Sequence, residues 1–128
     1  MLVESLITES VVLQGFRVVA VQQTGEGLEA KLTLDKRYAP RCGVCGHRAR
    51  YRDTRRVRRF RHVPLWGIDV HLVYAPRRVM CEHCGGVHVE LLPWVAGKRQ
   101  FTRALMVTLA TWARMLTWKQ VAALFHCS

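Results

Sequence analysis

Acidic residues are scarce in this chain, and none follows Glu90. Nine Asp and Glu stand against twenty Lys and Arg, which gives a formal net charge of +11. Catalytic magnesium sites are built from carboxylates, so the last third of the chain cannot hold one. The excess of positive charge favours a polyanionic partner instead, and nucleic acid is the commonest of these.

Long apolar segments are also missing. No apolar run reaches the roughly 18 residues that a membrane-spanning helix needs. Residues 1–13 include Glu4 and Glu9 but no basic residue, which is unlike a secretory signal peptide. We therefore expect a cytoplasmic protein with no membrane contact, whose cysteines bind metal rather than form disulfides.

Four of the five cysteines lie in two matched pairs. Both pairs have the form C-x-x-C-G, and thirty-five residues separate Cys45 from Cys81. In a zinc knuckle, such a turn directs two thiolates at one point, and the Gly after the second Cys lets the backbone turn away. Two knuckles complete a tetrahedral site. We predict one structural zinc ion with four thiolate ligands: Cys42, Cys45, Cys81 and Cys84.

The separation of the pairs exceeds the roughly 15 to 20 residues of a short ribbon, so full strands must fill the interval. Paired knuckles of this form also hold a single iron in electron carriers, and one C-x-x-C occurs in thioredoxin-like enzymes, so these readings remain as alternatives. Three histidines near the knuckles are expected to surround the site or face solvent rather than replace a thiolate: His47, His83 and His88.

Arginine is concentrated directly after the first knuckle. Fourteen residues contain eight guanidinium groups, opposed only by Asp53. The fork of Arg fits phosphate oxygens better than the ammonium of Lys, and clustered like charges repel one another unless a polyanion relieves them. We predict contact with a phosphate backbone through this run, together with three basic residues further along the chain: Arg48, Arg50, Arg52, Arg55, Arg56, Arg58, Arg59, Arg61, Lys98, Arg99 and Lys119.

The pattern of residues predicts an α+β fold in three parts. Residues 1–15 form an arm or short helix. Residues 16–92 form a β-hairpin, with a turn at Thr24–Gly27, and an antiparallel zinc ribbon whose returning strand is Ile68–Tyr74. We expect Val57 and Phe60 to be buried and residues 62–67 to form a turn. Trp66 and Trp94 could stack on nucleic-acid bases, but we expect them to pack in the core or between the parts.

Residues 93–128 form the third part, which is helical. Thr102 caps a helix that runs to about Leu116, and Thr117 with Gln120 forms a capping box for a second helix. His126-Cys127-Ser128 then resembles the turn of a helix-turn-helix, with Cys127 as its small buried residue and no third helix following. Much of the apolar face from Leu105 to Leu116 would then be uncovered, so we expect self-association.

These parts together resemble the N-terminal zinc finger of the ISL-three group of bacterial insertion-sequence transposases. The resemblance covers residues 16–128 and lies in these motifs: Cys42-x-x-Cys45-Gly46-His47, the run from Arg55 to Gly67, Arg77 to Cys81, and Thr117 to Ser128. His126 departs from the family, which commonly has Gly or a small residue at that bend, although His tolerates a left-handed conformation better than most residues.

The resemblance implies zinc binding by the four cysteines, backbone contacts by the arginine run and recognition of an element's terminal repeats. In that family, a separate RNase-H-like domain with a DDE-type carboxylate triad cuts and joins the DNA. We therefore expect a bacterial, nucleoid-associated protein that binds double-stranded DNA and is not itself an enzyme. The alternative function is that of an RNA-binding zinc ribbon, such as a ribosome-associated factor, because arginine-rich strands also suit structured RNA.

Overall fold

A computed structural model describes Ile7, Leu13 and residues 15–34, 38–96 and 99–126. Seven strands and two helices have defined bounds in this part of the chain: β1 (Phe16–Thr24), β2 (Gly27–Leu34), β3 (Arg50–Thr54), β4 (Arg58–Leu65), β5 (Ile68–Tyr74), β6 (Arg77–Cys81), β7 (Gly86–Val89), α1 (Arg103–Ala113) and α2 (Trp118–Phe125). The predicted α+β class is confirmed.

The strands form two sheets. The larger has the order β1-β2-β5-β4, and the smaller has the order β3-β6-β7. The predicted hairpin from Phe16 to Leu34 is present, and the returning strand lies at the predicted residues. The interval between the knuckles is long because β4 and β5 leave the ribbon and join the N-terminal hairpin. This junction is a parallel pairing of β2 with β5, which the sequence did not predict. The strands of the ribbon sheet pair antiparallel, as predicted.

The core of the larger sheet lies on one face of β2, β4 and β5. Ala30, Phe60 and Leu72 are fully buried there, as the alternation of apolar and polar residues predicts. Trp94 packs edge-on against Phe16 at 4.9 Å between ring centroids. Trp94 therefore has the predicted packing role, and residues after position 92 contribute to this core. The proposed boundary at residues 92/93 stays a prediction.

Three local predictions are wrong. Val57 is 62% exposed, because it lies in the connection between the two sheets. Residues 62–65 extend β4, so that the turn is confined to Trp66 and Gly67. Trp66 is 82% exposed rather than packed. All of these residues lie at or next to an end of β4, and the alternation of apolar and polar residues does not show where a strand begins or ends.

The helices pack on β4. Their shared core consists of Leu105, Val121 and Phe125, with Val63 of β4 against it. Thr102 caps α1 by accepting from the Leu105 amide at 3.1 Å, as predicted, although α1 ends at Ala113. The predicted capping box of α2 is also present.

The segment before α1 extends the larger sheet. Arg61 pairs with Phe101 in parallel alignment, beyond the edge strand β4. His62, on β4, is buried, and its Nδ1 lies 2.9 Å from the Thr102 hydroxyl. That hydroxyl also accepts from the Leu105 amide, so it links His62 to the N-terminus of α1. Burial lowers the pKa of His62 to about 4, which agrees with a neutral ring.

Candidate metal centre and nucleic-acid interface

The two knuckles have the same backbone geometry. The Gly46 amide donates to the Cys42 carbonyl at 2.9 Å, and the Gly85 amide donates to the Cys81 carbonyl at 3.0 Å. Both glycines have positive φ, +78° and +66°, a conformation that Gly adopts at little cost. Each turn therefore folds its two thiols towards one side of the ribbon.

The ribbon sheet holds the knuckles in place. Cys42 pairs with Glu90 in an isolated bridge next to β7, and the Gly43 amide donates to the Val89 carbonyl at 3.0 Å. A Cβ at Gly43 would lie 2.4 Å from that carbonyl oxygen. The first knuckle can approach the last strand only because position 43 has no side chain.

The four thiols converge. All four Sγ atoms lie within 4.8 Å of one another. The closest pairs join the two knuckles: Cys42 to Cys84 at 3.5 Å and Cys45 to Cys81 at 3.4 Å. A tetrahedral zinc–thiolate site, with Zn–S bonds of about 2.3 Å, has sulfur atoms about 3.8 Å apart. The donor set and its spacing therefore fit one structural zinc ion.

Electrostatics at the cluster also favour a cation. The backbone amide of Cys84 lowers the pKa of Cys81 to about 7. The hydrogen bond between the side chains of Cys84 and Cys81 raises the pKa of Cys84 to about 12. The protein environment thus favours ionisation of the Cys81 thiol and disfavours ionisation of the neighbouring Cys84 thiol. A divalent cation removes that opposition and allows all four sulfurs to bind as thiolates.

Two histidines stack beside the cluster. The rings of His47 and His83 lie 3.8 Å apart between centroids, at an interplanar angle of 23°. Both are exposed, as expected for residues that surround the site without replacing a thiolate. Among the described residues, the only group of His, Cys, Asp and Glu ligand atoms close enough to share a metal is the four-cysteine set.

A buried ion pair joins the ribbon to the larger sheet. The Glu90 carboxylate is 1% exposed and accepts from Arg77 side-chain nitrogens at 2.9 and 3.0 Å. It also accepts from the Tyr74 hydroxyl at 2.7 Å, and the burial of Tyr74, with this bond, raises the Tyr74 pKa well above its usual value. The sequence did not predict this cluster, because Arg77 is one of two adjacent arginines before the second knuckle and its partner Glu90 lies 13 residues away.

Arginines also line a cleft between the two sheets. Its volume is about 810 Å³, and its lining consists of Asp53, Thr54, Arg55, Arg56, Arg58, Pro76, Arg78 and Val89. Burial lowers the pKa of Arg58, and the neighbouring charge of Arg55 lowers it further. This unfavourable crowding of cations would be relieved by a bound anion.

Arg78 was not among the predicted contacts, although it belongs to this cleft. It pairs bidentately with Asp53, and this pairing lowers the pKa of the Asp53 carboxyl. The alternation of β6 could have separated Arg78 from Arg77, since successive strand residues point to opposite faces.

The predicted contact residues do not form one surface. Arg55, Arg56 and Arg58 meet at the cleft, whereas Arg48 lines a separate hollow beside Cys45 and His83. Arg50 and Arg52 are exposed on β3, and Arg50 lies 3.5 Å from Glu82. Arg99 and Lys119 are exposed in the helical part, and Lys98 lies outside the described residues, as does Cys127.

Two of the predicted arginines are engaged within the protein. Arg59 pairs with Glu26 and Glu29, both at 2.9 Å. Arg61 donates to the Phe125 carbonyl and lies 3.5 Å from Asp69. These two side chains attach the N-terminal hairpin and the end of α2 to β4, which makes them weaker candidates for phosphate contact than the cleft arginines.

Comparison with known proteins agrees with this geometry. Residues 39–84 match the family described as the zinc-finger of transposase IS204/IS1001/IS1096/IS1165. This region is similar to the zinc ribbons of the ISL-three transposase family. The predicted resemblance is confirmed, and the match favours zinc over iron at the four-cysteine cluster.

A curated relative supports the same assignment. The transposase for insertion sequence element IS1001 from Bordetella parapertussis is 38% identical over 64 residues, which are 50% of this chain and 16% of that transposase. No solved structure matches.

The RNA-binding alternative is not favoured by these matches. No helix in the described residues is long and apolar enough to cross a membrane.

Proposed function

We propose that this chain is a DNA-binding part of an insertion-sequence transposase and contributes to recognition of the element's terminal inverted repeats. The observation that carries this proposal is the arginine cleft beside a transposase-type zinc ribbon. Four guanidinium groups line it, of which Arg78 already pairs with Asp53: Arg55, Arg56, Arg58 and Arg78. They have the chemistry to hold a sugar–phosphate backbone, which positions a protein on DNA without reading its sequence.

The helical part would add to this contact. His126 ends α2 in a left-handed conformation, with φ of 55°, which is the conformation that Gly commonly adopts at the end of a helix. His126, at a position where the family commonly has Gly or a small residue, is therefore compatible with a helix-turn-helix bend. We propose that this part begins the reading unit, in a bacterial cytoplasm and at the nucleoid, and that cutting and joining belong to a catalytic domain outside this chain.

The test is a titration of zinc-loaded protein with duplex DNA carrying the element's ends. Three phosphate contacts, from Arg55, Arg56 and Arg58, give an expected slope of about −3 for the logarithm of the binding constant against the logarithm of salt concentration. Arg55→Ala should reduce the magnitude of this slope by about 1. Arg17→Ala removes the same charge from β1 and should leave the slope nearly unchanged. Binding that does not respond to salt would refute the proposal, and a preference for structured RNA would favour the alternative.

We further propose that the helical part mediates self-association. Several large apolar side chains are exposed on or beside its two helices: Met106, Val107, Trp112, Met115, Trp118 and Leu124. Such a set is more than a monomer ordinarily exposes in one small unit. Sedimentation of the zinc-loaded protein should show a concentration-dependent dimer, and Met115→Ser should weaken it. A monomer at all concentrations would contradict this proposal.

A further inference from the structure

Trp66 combines two unfavourable properties. It lies in the two-residue turn between β4 and β5 with φ of +49°, followed by Gly67 with φ of +77°. Positive φ at both central positions is the pattern of a type I′ hairpin turn, in which Asn-Gly is the favoured pair. A bulky aromatic residue rarely adopts this conformation. The indole is also 82% exposed.

The exposed side chain of Trp66 contributes little burial to the stability of the fold. Trp94, by contrast, is 1% exposed and contacts three aromatic rings in the core. Trp66 has a strained backbone conformation, and its side chain is not buried as that of Trp94 is. Strained residues of this kind are found where the side chain acts on something outside the fold.

Two arginines pair with the acidic groups near the turn, and one of them, Arg59, is shared between Glu26 and Glu29. Asp69 lies 3.5 Å from Arg61 and 3.1 Å from His126. Glu26, in the neighbouring hairpin turn, pairs with Arg59 at 2.9 Å. The β1–β2 turn lies beside the start of β5, because a Cβ at Gly27 would be 2.2 Å from the Asp69 carbonyl oxygen. These internal pairs reduce the repulsion that a polyanion would meet at this end of the sheet.

From these observations we propose that Trp66 is a second DNA contact, which places its indole ring against bases in a groove of the duplex. This inference rests on the proposed function. A protein interface needs about 1,000 Å² of well-packed surface, which a single ring on a two-residue turn does not provide. The major groove is about 12 Å wide and admits a two-stranded β-ribbon. An apolar or aromatic side chain inserted from the hairpin tip can then stack on bases.

The fold sets the spacing of the two contacts. Arg58, at the arginine cleft, begins β4, and Leu65 ends it. Seven steps along a strand span about 23 Å. With a rise of about 3.4 Å per base pair, the indole would meet DNA about seven base pairs from the phosphates at the cleft.

The experiment compares Trp66→Asn with Val19→Ala in the same salt titrations. Val19 is also an exposed apolar residue, at 56%, but belongs to β1. We expect Trp66→Asn to weaken binding about tenfold with no change in salt slope, because stacking releases no counterions. Its thermal midpoint should rise, since Asn suits the turn better than Trp. Val19→Ala should bind like the parent protein.

Footprinting supplies the second readout. Protection about seven base pairs from the cleft contact should disappear in Trp66→Asn and persist in Arg55→Ala. Unchanged affinity of Trp66→Asn, while Arg55→Ala still lowers the salt slope, would overturn this inference and leave the proposed function standing. Equal losses in Trp66→Asn and Val19→Ala would also overturn it. Absence of duplex binding by the parent protein would refute both proposals together.

Discussion

At the scale of single residues, Gly43 determines whether the first knuckle can reach β7. Gly43→Ala would place a methyl group 2.4 Å from the Val89 carbonyl oxygen, and this backbone atom cannot move aside easily. We expect a loss of about 2 kcal/mol in the free energy of unfolding and weaker zinc binding, measured by denaturation and by competition with a chelator. Gly25→Ala is the control, because a Cβ there meets nothing within 4 Å. Equal stability of the two variants would contradict this account.

His62 makes stability depend on pH. Its pKa falls from 6.5 to about 4 on folding, so the unfolded chain binds more protons between these values. The contribution of His62 is complete above pH 6.5 and is lost as the pH falls towards 4. Between pH 7.5 and 5.5 we expect a loss of about 1.3 kcal/mol.

The measurement is the free energy of unfolding in urea with saturating zinc. His62→Asn keeps a hydrogen-bonding side chain beside the Thr102 hydroxyl, because the Asn amide can donate or accept. Asn does not titrate in this range, so the variant should lose about 1.3 kcal/mol less stability than the parent protein over the same pH interval. Identical pH dependence of the two proteins would show that His62 is not the group responsible.

At the scale of secondary-structure elements, Glu90 couples the two sheets. Its carboxylate receives hydrogen bonds from Tyr74, at the end of β5, and from Arg77, at the start of β6. Glu90→Gln would leave the largely buried Arg77 guanidinium without its counter-charge. We expect a loss of about 3 kcal/mol in the free energy of unfolding.

Glu82→Gln is the matched control for this prediction. Glu82 faces Arg50 at 3.5 Å, but the two side chains are 78% and 83% exposed, so their attraction is screened by water. This control should change the free energy of unfolding by less than about 0.5 kcal/mol. A comparable loss in both variants would mean that charge alone, rather than burial, accounts for the effect.

At the scale of the whole molecule, the two sheets differ in what stabilises them. The ribbon sheet has a small core formed by Cys42, Val79 and Cys81, two of which are zinc ligands. The larger sheet has its own aromatic core around Trp94. Zinc removal should therefore unfold the ribbon first, because a core of this size does not offset the entropy of the ordered chain.

Hydrogen exchange with and without a chelator measures this difference. Amides in 50–54 and 77–89 should lose protection when zinc is removed, whereas those in 28–34 and 68–74 should keep most of theirs. Restoring zinc should restore the protection. Loss of protection in both sheets together would show that the ribbon and the larger sheet unfold as one unit.

Sequence reasoning succeeded where the controlling interactions are local. The capping box at Thr117 and Gln120, the N-cap at Thr102 and the strand from Ile68 to Tyr74 are all present as predicted. Each depends on residues within a few positions of one another, so spacing and residue type suffice. The spacing of the two knuckles predicted the four-thiol cluster for the same reason, since each turn directs its own two thiols.

What the sequence determined by itself is thus the zinc chemistry, the hairpins, the helix starts and the excess of positive charge. The tertiary structure decided how these parts meet: β2 pairs with β5 in parallel, Arg59 pairs with Glu29 across the sheet, and Trp94 is buried while Trp66 projects from a turn. These outcomes depend on residues far apart along the chain. The physical reason is that ion pairing and burial act over a few ångströms in space, and only the folded chain establishes which side chains come that close.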